Sequence, residues 1–458
     1  MKALSSPGRF LSSPRDCYRE GVSSSPLKVG DRVEVTTERL AYGGDAVARH
    51  GGLTVFVRFA APGERLRVRV VERKKNFARA VIETIIKPSP ARRAPACAHF
   101  GDCGGCQLQH LNYAAQLEAK AGFIRDALTR IGKIEWPADI PVLHAAEFGY
   151  RARAQIKLEA GHRSDQPPRI GFNRSASSAV CDVPSCAVLV PELDAALARL
   201  HELAGDSANP ARAGLSRLRE IEAAAGDDRI ALAPAVEGLP AGAITRAVNG
   251  LQYHFSPAAF FQGNALLLGA LVAEALDDYA GRTAVDLYAG VGLFTLQLAR
   301  RFERVISVES DREAARFARH NVAVNRVTNV EFHEARVEQW LGDFSARQSD
   351  AREPVGLLLL DPPRAGAADA IDGIISSQAA RVVYVSCDPT TMARDLRRLI
   401  DAGYALNRVT GVDLFPQTYH VETVAHLRRK FLPITKVLAN SQKSSRKTIE
   451  VLAKKYLL

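Results

Sequence analysis

The chain has 458 residues, which as a prior corresponds to about three domains. Hydrophobic residues make up 47% and charged residues 24%, which excludes a mainly disordered, collagen-like or disulfide-scaffold protein. The 61 Lys and Arg outnumber the 50 Asp and Glu, giving a net charge of +11. This surplus favours nucleic acid as a polyanionic partner, although a basic surface also serves solubility.

The sequence shows no apolar run of membrane-spanning length and no secretory leader. We therefore expect a cytoplasmic protein without membrane contact. Its seven cysteines then predict metal ligands or catalytic thiols rather than disulfides.

Residues 1–26 are rich in Ser, Pro and Arg and are predicted to be a disordered tail. Residues 27–87 contain short alternating apolar runs separated by turns, which predicts a small OB-like β-barrel. The runs are Arg32–Val35, Leu53–Val57, Leu66–Val70 and Ala78–Ile82. Alternation places Arg65, Arg67 and Arg69 on one face, as a solvated polar stripe or an RNA-binding surface.

Residues 88–254 are predicted to form a mixed α+β domain that begins with a Pro-rich linker. A helical pattern runs from Tyr113 to Ile131. Further along, Arg151 and Arg153 are candidate contacts to RNA phosphates, or only a solvated pair.

Three cysteines of this domain, Cys97, Cys103 and Cys106, lie close together in a Gly-rich loop. Such a group in a cytoplasmic chain favours an iron–sulfur or zinc site, and both usually take four thiolates. The spacing does not decide between the metals. The residues alone leave Cys181 and Cys186 as candidates for the fourth ligand.

Residues 255–432 alternate between strand and helix, which predicts a doubly wound, mostly parallel α/β sheet. The strand candidates are Ala284–Tyr288, Val305–Glu309, Val330–His333, Gly356–Asp361, Arg381–Ser386, Leu406–Val412 and Val421–Leu427. A basic tail, residues 433–458, follows without an assigned function.

A glycine turn between Asp286 and Gly292 ends the first of these strands and opens a helix. The third glycine of a dinucleotide site is replaced by Thr295, and the next strand ends at Glu309, whose carboxylate can bind ribose hydroxyls. The pattern favours a nucleoside without a pyrophosphate, such as S-adenosylmethionine. A structural turn with a surface Glu, or an NAD site, are the alternatives.

Cys387 follows a buried strand, where open α/β sheets place their ligand crevice. An inert core thiol is one interpretation, but a helix capped by Thr390 or Thr391 would favour a reactive thiolate. A thiol beside a methyl donor points to carbon 5 of a pyrimidine, because a thiolate adding to carbon 6 activates that carbon. His420 and Glu422 are candidates for the base that removes the carbon-5 proton.

The motifs DLYAGVG, LLLLDPPR, VSCDP and FPQTYHVE, with FQGN upstream, resemble the RNA 5-methyluridine methyltransferase family from about Lys28 to Leu432. The resemblance implies that Cys387 is the nucleophile, that Glu422 is the general base and that His420 is a neighbour. It also implies four residues of the S-adenosylmethionine site: Gln262, Tyr288, Glu309 and Asp361. The family often has Asn where this chain has Leu293.

The same resemblance extends to the cysteines and the barrel. It implies a 4Fe-4S cluster held by Cys97, Cys103, Cys106 and Cys186, which leaves Cys181 unassigned along with Cys17. The barrel resembles the TRAM domain, an RNA-binding module. Barrel and cluster motif together favour ribosomal RNA over tRNA as the structured RNA partner.

We therefore expect a monomeric, S-adenosylmethionine-dependent enzyme that forms 5-methyluridine in RNA, with large-subunit ribosomal RNA as the favoured substrate. The uridine is turned out of its stack and bonds to Cys387 through carbon 6. The alternatives are a tRNA uracil-C5 enzyme, an RNA cytosine-C5 enzyme, a non-catalytic RNA-binding iron–sulfur protein, and an iron–sulfur oxidoreductase.

Overall fold

The structure of the chain is a computed structural model that describes residues 27–161, 166–348 and 355–430. The predicted N-terminal tail with Cys17 and the basic C-terminal tail lie outside the described residues. Within these ranges, no helix is long and apolar enough to span a bilayer.

The N-terminal strands close into a five-stranded barrel in the order β1-β2-β3-β5-β4. Its strands are β1 Arg32–Leu40, β2 Ala46–His50, β3 Leu53–Val57, β4 Arg65–Arg73 and β5 Phe77–Lys87. In β4 Leu66, Val68 and Val70 are buried while Arg65, Arg67 and Arg69 are exposed, as their alternation predicts. The sequence reading missed β2, because Ala-Val-Ala-Arg-His is short and poor in strong strand formers.

Helix α1, Tyr113–Asp126, continues as a π-helical turn at Ala127–Ile131, so the predicted helix is present. The Asn112 side chain caps its start by accepting from the Ala115 amide at 2.9 Å. The helix packs Phe123 against the barrel core and Ile124 against the core of the large sheet. It therefore connects the two.

The central region is built on a five-stranded antiparallel sheet in the order β11-β10-β7-β8-β9. Its elements are β7 Arg153–Glu159, β8 Arg169–Asn173, β9 Val180–Asp182, α2 Pro191–Gly205, α3 Pro210–Leu215, β10 Glu220–Ala225 and β11 Ile230–Ala233. A hairpin follows, β12 Ile244–Val248 and β13 Leu251–Phe255. Its apolar side chains pack into the core of the large sheet, and the boundary at residue 254 stays a prediction.

The large sheet has eight strands in the order β16-β15-β14-β17-β18-β20-β19-β6. Its strands are β6 Val142–Leu143, β14 Gly281–Leu287, β15 Phe302–Glu309, β16 Val330–Glu334, β17 Leu357–Leu360, β18 Arg381–Ser386, β19 Tyr404–Val412 and β20 Glu422–Arg429. The five strands from β16 to β18 are parallel, whereas β20 is antiparallel to both neighbours. This is the predicted mostly parallel, Rossmann-like sheet.

Helices cover both faces of this sheet and enclose two apolar cores. They are α4 Leu268–Leu276, α5 Leu293–Ala299, α6 Arg312–Val324, α7 Val337–Gln348, α8 Ile371–Ser376 and α9 Pro389–Asp401. Helices α4 to α6 contribute to one core, and α1 with α7 to α9 to the other. The carboxyl ends of the parallel strands stay uncovered, which is where such sheets bind ligands.

Candidate active site

A cavity of about 850 Å³ lies at the carboxyl ends of the parallel strands. All the side chains predicted for catalysis and for the methyl donor line it: Gln262, Tyr288, Glu309, Asp361, Cys387 and Glu422. Tyr288, Glu309, Asp361 and Cys387 meet because β14, β15, β17 and β18 end at the same edge. Glu422 joins them because it begins β20, which runs antiparallel beside β18.

The glycine turn after β14 holds Glu309 in place. Tyr288, Gly290 and Gly292 all have left-handed backbone conformations, with φ of 59°, 56° and 90°. The turn aims the Gly290 amide at the Glu309 carboxylate, which it reaches at 2.7 Å. The amides of Ser310 and Asp311 donate to the same carboxylate, also at 2.7 Å. The Glu309 carboxylate lines the cavity and can accept further hydrogen bonds, for which the hydroxyls of a ribose are suitable donors.

The residue in place of the third glycine has a structural task. The Thr295 hydroxyl lies in hydrogen-bond contact with the Asp286 carboxylate and with the Ser307 hydroxyl at 3.0 Å. Burial raises the pKa of Asp286 to about 7. These contacts connect β14, α5 and β15 beneath the turn. A dinucleotide site has a glycine at the position of Thr295, so that the helix can pack closely against the strand.

Gln262 and Asp361 meet on another wall of the cavity, with the Gln262 amide donating to the carboxylate at 3.3 Å. Burial raises the pKa of Asp361 to about 7. Gln262 itself is buried, so this contact sets its orientation toward the cavity.

Cys387 follows β18 directly, as predicted. Burial raises the pKa of its thiol to about 12, and the negative charges of Glu422 and Asp361 act in the same direction. Arg364, from the DPPR motif, opposes them. The ligand-free cavity therefore favours the protonated thiol, whereas a capped helix was expected to favour the thiolate.

The helix cap explains part of that difference. Asp388, and neither Thr390 nor Thr391, is the N-cap of α9: its carboxylate accepts from their amides at 2.8 and 3.3 Å. The amides that would favour a thiolate are thus satisfied by a carboxylate, whose charge itself raises the pKa of Cys387.

Glu422 begins β20 and is 2% exposed. Burial, followed by the charge of Asp361, raises its pKa well above the usual range. Its Oε1 has no hydrogen-bond partner among the described residues, which suits an atom that faces an incoming substrate. Burial lowers the pKa of the neighbouring His420 to about 4, so that imidazole is neutral.

Sequence reasoning missed three side chains around this cavity. Glu338 accepts from the Tyr288 hydroxyl at 3.4 Å, and the positive charge of Arg364 lowers the pKa of both Cys387 and Glu422. Tyr42 reaches from the barrel to Tyr419, with ring centroids 5.3 Å apart. Only Arg364 lies in a recognisable motif; the others arrive through tertiary packing.

The loop that precedes Glu422 is clamped from outside the large sheet. Lys120 of α1 forms a buried ion pair with Asp413 and donates to the Phe415 carbonyl at 2.9 Å. The Gln417 carbonyl accepts from the amides of Gln107 and Leu108, both at 2.9 Å. The segment after the cysteines therefore holds the catalytic loop directly.

A second, smaller cavity of about 40 Å³ is lined by all four predicted cluster ligands: Cys97, Cys103, Cys106 and Cys186. Cys181 instead donates to the Asp102 carboxylate at 3.5 Å. Across the described ranges, no three or more His, Cys, Asp or Glu side chains are grouped closely enough to bind one metal ion.

The arginines predicted to contact RNA are largely paired with protein groups. Arg65 and Arg67 share Glu34 at 2.9 and 3.1 Å, and Arg69 contacts a glutamate of β5 at 3.2 Å. Arg153 donates to the Ala259 carbonyl at 2.6 Å. That bond holds the segment leading to Gln262, so Arg153 has a positioning task.

The tRNA (Uracil-5-)-methyltransferase family model matches residues 244–430, and the TRAM domain model matches residues 26–82. A 23S rRNA (uracil(1939)-C(5))-methyltransferase from Vibrio parahaemolyticus is 34% identical, covering 85% of this chain and 94% of its own length. The enzyme of the same name from Cronobacter sakazakii is 35% identical, covering 87% and 96%.

Among solved structures, the tRNA (uracil-54, C5)-methyltransferase of Pyrococcus abyssi, in complex with S-adenosyl-L-homocysteine, superposes with a TM-score of 0.65. It is 26% identical, and the match covers 86% of this chain and all of that one. Similarity of this extent, together with the cavity at the strand ends, establishes the relationship. The chain belongs to the family of S-adenosylmethionine-dependent RNA uracil-C5 methyltransferases.

Proposed function

We propose that this enzyme methylates carbon 5 of a uridine in 23S ribosomal RNA through a covalent bond between Cys387 and carbon 6. The ribosomal substrate is supported by the relatives from Vibrio and Cronobacter, which match over nearly their whole length. The observation that carries the mechanism is that Cys387 and Glu422 line the same cavity as Glu309 and Gln262.

The cavity fits S-adenosylmethionine. Glu309 offers acceptors for the ribose, Tyr288 and Gln262 line the walls, and the volume of about 850 Å³ admits a nucleoside together with a uracil. When bound, the donor supplies an electrophilic methyl group on a positively charged sulfonium. A positive charge in this buried space favours the ionised forms of Asp361 and Glu422.

The covalent route follows from the chemistry of uracil. Carbon 5 is a weak nucleophile until the Cys387 sulfur, having released its proton to solvent, adds to carbon 6 and places negative charge on the carbon-4 oxygen and carbon 5. Carbon 5 then bonds to the methyl group as the methyl–sulfonium bond breaks, which would leave neutral S-adenosylhomocysteine. Glu422 in its carboxylate form takes the carbon-5 proton, the double bond between carbons 5 and 6 forms again, and the sulfur–carbon bond breaks. The sulfur takes a proton from solvent, so Cys387 is restored.

We also propose a 4Fe-4S cluster on Cys97, Cys103, Cys106 and Cys186. The convergence of these four thiols on one cavity supports it. In such a cluster each of the four thiolates would bind one iron.

The test is methyl transfer from labelled donor to 23S rRNA and to tRNA, both from cells that lack the gene. We expect 5-methyluridine at one or a few positions of the ribosomal RNA, and none with Cys387→Ser, which should still bind RNA. Methylation of tRNA alone would overturn the ribosomal assignment. Turnover by Cys387→Ser would overturn the nucleophile.

A further inference from the structure

We propose that a nucleotide adjoining the target uridine binds in a further cavity, of about 470 Å³, beside the barrel. This barrel pocket lies between the barrel, the segment after the cysteines and the turn that follows β8. The side chains that matter for its chemistry are Tyr42, Asp45, Phe56, Arg58, Phe59 and Arg79. The inference rests on the proposed function, because it concerns the RNA that enters the catalytic cavity.

The lining has the chemistry that single-stranded RNA requires. The Arg58 guanidinium lies 4.6 Å from the Phe59 ring centroid, and that of Arg79 lies 5.9 Å from the Phe56 centroid. Unstacked bases are held by aromatic rings and guanidinium planes of this kind. A volume of about 470 Å³ is within the range of small-molecule pockets.

The charge of the pocket also favours a nucleotide. Arg79 is balanced by Asp45 at 2.8 Å. Arg58 contacts the Ser175 hydroxyl, and its charge acts on the same Asp45 carboxylate, so two guanidinium groups share one carboxylate in the lining of this pocket. A net positive charge beside aromatic rings attracts a polyanionic strand.

The pocket adjoins the catalytic cavity through aromatic side chains. The Tyr42 ring meets Tyr419 at 5.3 Å, and Tyr419 lies 4.2 Å from the ring of His420, which lines the catalytic cavity. A strand that passes over Tyr42 and Tyr419 thus reaches both cavities. This continuity identifies the occupant as part of the same RNA.

The pocket wall is fixed before RNA arrives. Phe59 has a left-handed backbone with φ of 58°, and its carbonyl accepts from Arg92 at 2.7 Å. Its ring packs 4.9 Å from Phe100 and 6.0 Å from His110, both in the cysteine segment. A preorganised wall loses little entropy on binding a base.

The experiment measures the affinity of the full-length enzyme for an RNA oligonucleotide that it methylates. In a set of such RNAs, each nucleotide flanking the target is replaced in turn by an abasic one. We expect Arg58→Ala to weaken binding of the intact RNA about tenfold, as for loss of one base stack. At one flanking position, an abasic nucleotide should weaken binding to the wild-type enzyme by a similar factor. Combining that RNA with Arg58→Ala should weaken binding no further than either change alone.

Arg58→Lys and Arg65→Ala are the matched variants. Arg58→Lys keeps the charge but loses the planar guanidinium, so it should show most of the loss and the same coupling to that position. Arg65→Ala removes a cation that is already paired with Glu34, and its small effect should be equal for every RNA of the set.

If Arg58→Ala weakens all RNAs of the set equally, it is a general charge contact and the barrel pocket proposal is wrong. A full rescue by Arg58→Lys would contradict base stacking in the same way. Methyl incorporation by the wild-type enzyme is followed in parallel. If the wild-type enzyme methylates none of the RNAs, the proposed function is refuted. If it methylates them but the effect of Arg58→Ala does not depend on any abasic position, only the barrel pocket is refuted.

Discussion

At the scale of single residues, Glu422 determines whether the proposed reaction can finish. In Glu422→Gln the thiol can still add to carbon 6 and carbon 5 can still be methylated, but no carboxylate takes the carbon-5 proton. We expect a protein–RNA complex that survives denaturation to accumulate with RNA and donor present. Denaturing gel electrophoresis detects it, and Cys387→Ser is the control that should form none.

If Glu422→Gln turns over at the wild-type rate and accumulates no complex, another group takes the proton. His420 is then the next candidate, although its pKa of about 4 makes it a weak base.

The raised pKa of Cys387 gives a prediction for the ligand-free enzyme. With a pKa of about 12, its alkylation by iodoacetamide should rise about tenfold per pH unit from neutral to alkaline pH, because only the thiolate reacts. In Glu422→Gln no charge develops beside the sulfur, which lowers the pKa of Cys387 and speeds alkylation at alkaline pH. Peptide mass spectrometry at Cys387 separates it from the other cysteines.

A Cys387 alkylation rate that levels off near neutral pH would contradict the protonated thiol. If Cys387 is alkylated at the same rate in Glu422→Gln and in the wild type at every pH, the Glu422 carboxylate has no electrostatic effect on the sulfur.

At the scale of elements, α1 holds the catalytic loop through the buried pair of Lys120 and Asp413. In Lys120→Met an unpaired carboxylate stays buried, so we expect the free energy of unfolding to fall by about 3–5 kcal/mol. Chemical denaturation measures this loss. Arg125→Met, on the exposed side of the same helix, should change it by less than about 1 kcal/mol.

The double variant Lys120→Met with Asp413→Leu leaves no charge buried and should recover most of that stability. A loss as large as in the single variant would mean that the cost arises from packing rather than from the unpaired carboxylate.

Sequence patterns predicted some of the strands with their correct bounds and missed others. The bounds Arg381–Ser386 and Leu53–Val57 match the observed strands, because runs rich in valine and aromatic residues between turns favour a strand. The strands β2 and β6 were missed because β2 is rich in alanine and β6 has only two residues. They exist because neighbours offer an edge: β6 pairs with Gly411 and Val412 of β19.

At the scale of the whole molecule, the segment that carries Cys97, Cys103 and Cys106 contacts the barrel, the central region and the catalytic loop. Anaerobically purified enzyme should absorb broadly in the visible blue, and Cys103→Ala should remove that absorption. Cys181→Ala is the control: its thiol lies outside the cavity lining and should leave the spectrum unchanged. A colourless protein that contains zinc would overturn the cluster assignment.

The sequence by itself determined the parallel sheet and the barrel, and through the resemblance of its motifs it identified six of the residues that line the catalytic cavity. Periodicity and strand-end motifs are local, and they survive in any context that buries the apolar face. Only the tertiary structure decided the charge state of Cys387, the pairing of the barrel arginines and the approach of Tyr42. These depend on burial and on distances between segments far apart in the chain, and no local pattern encodes either.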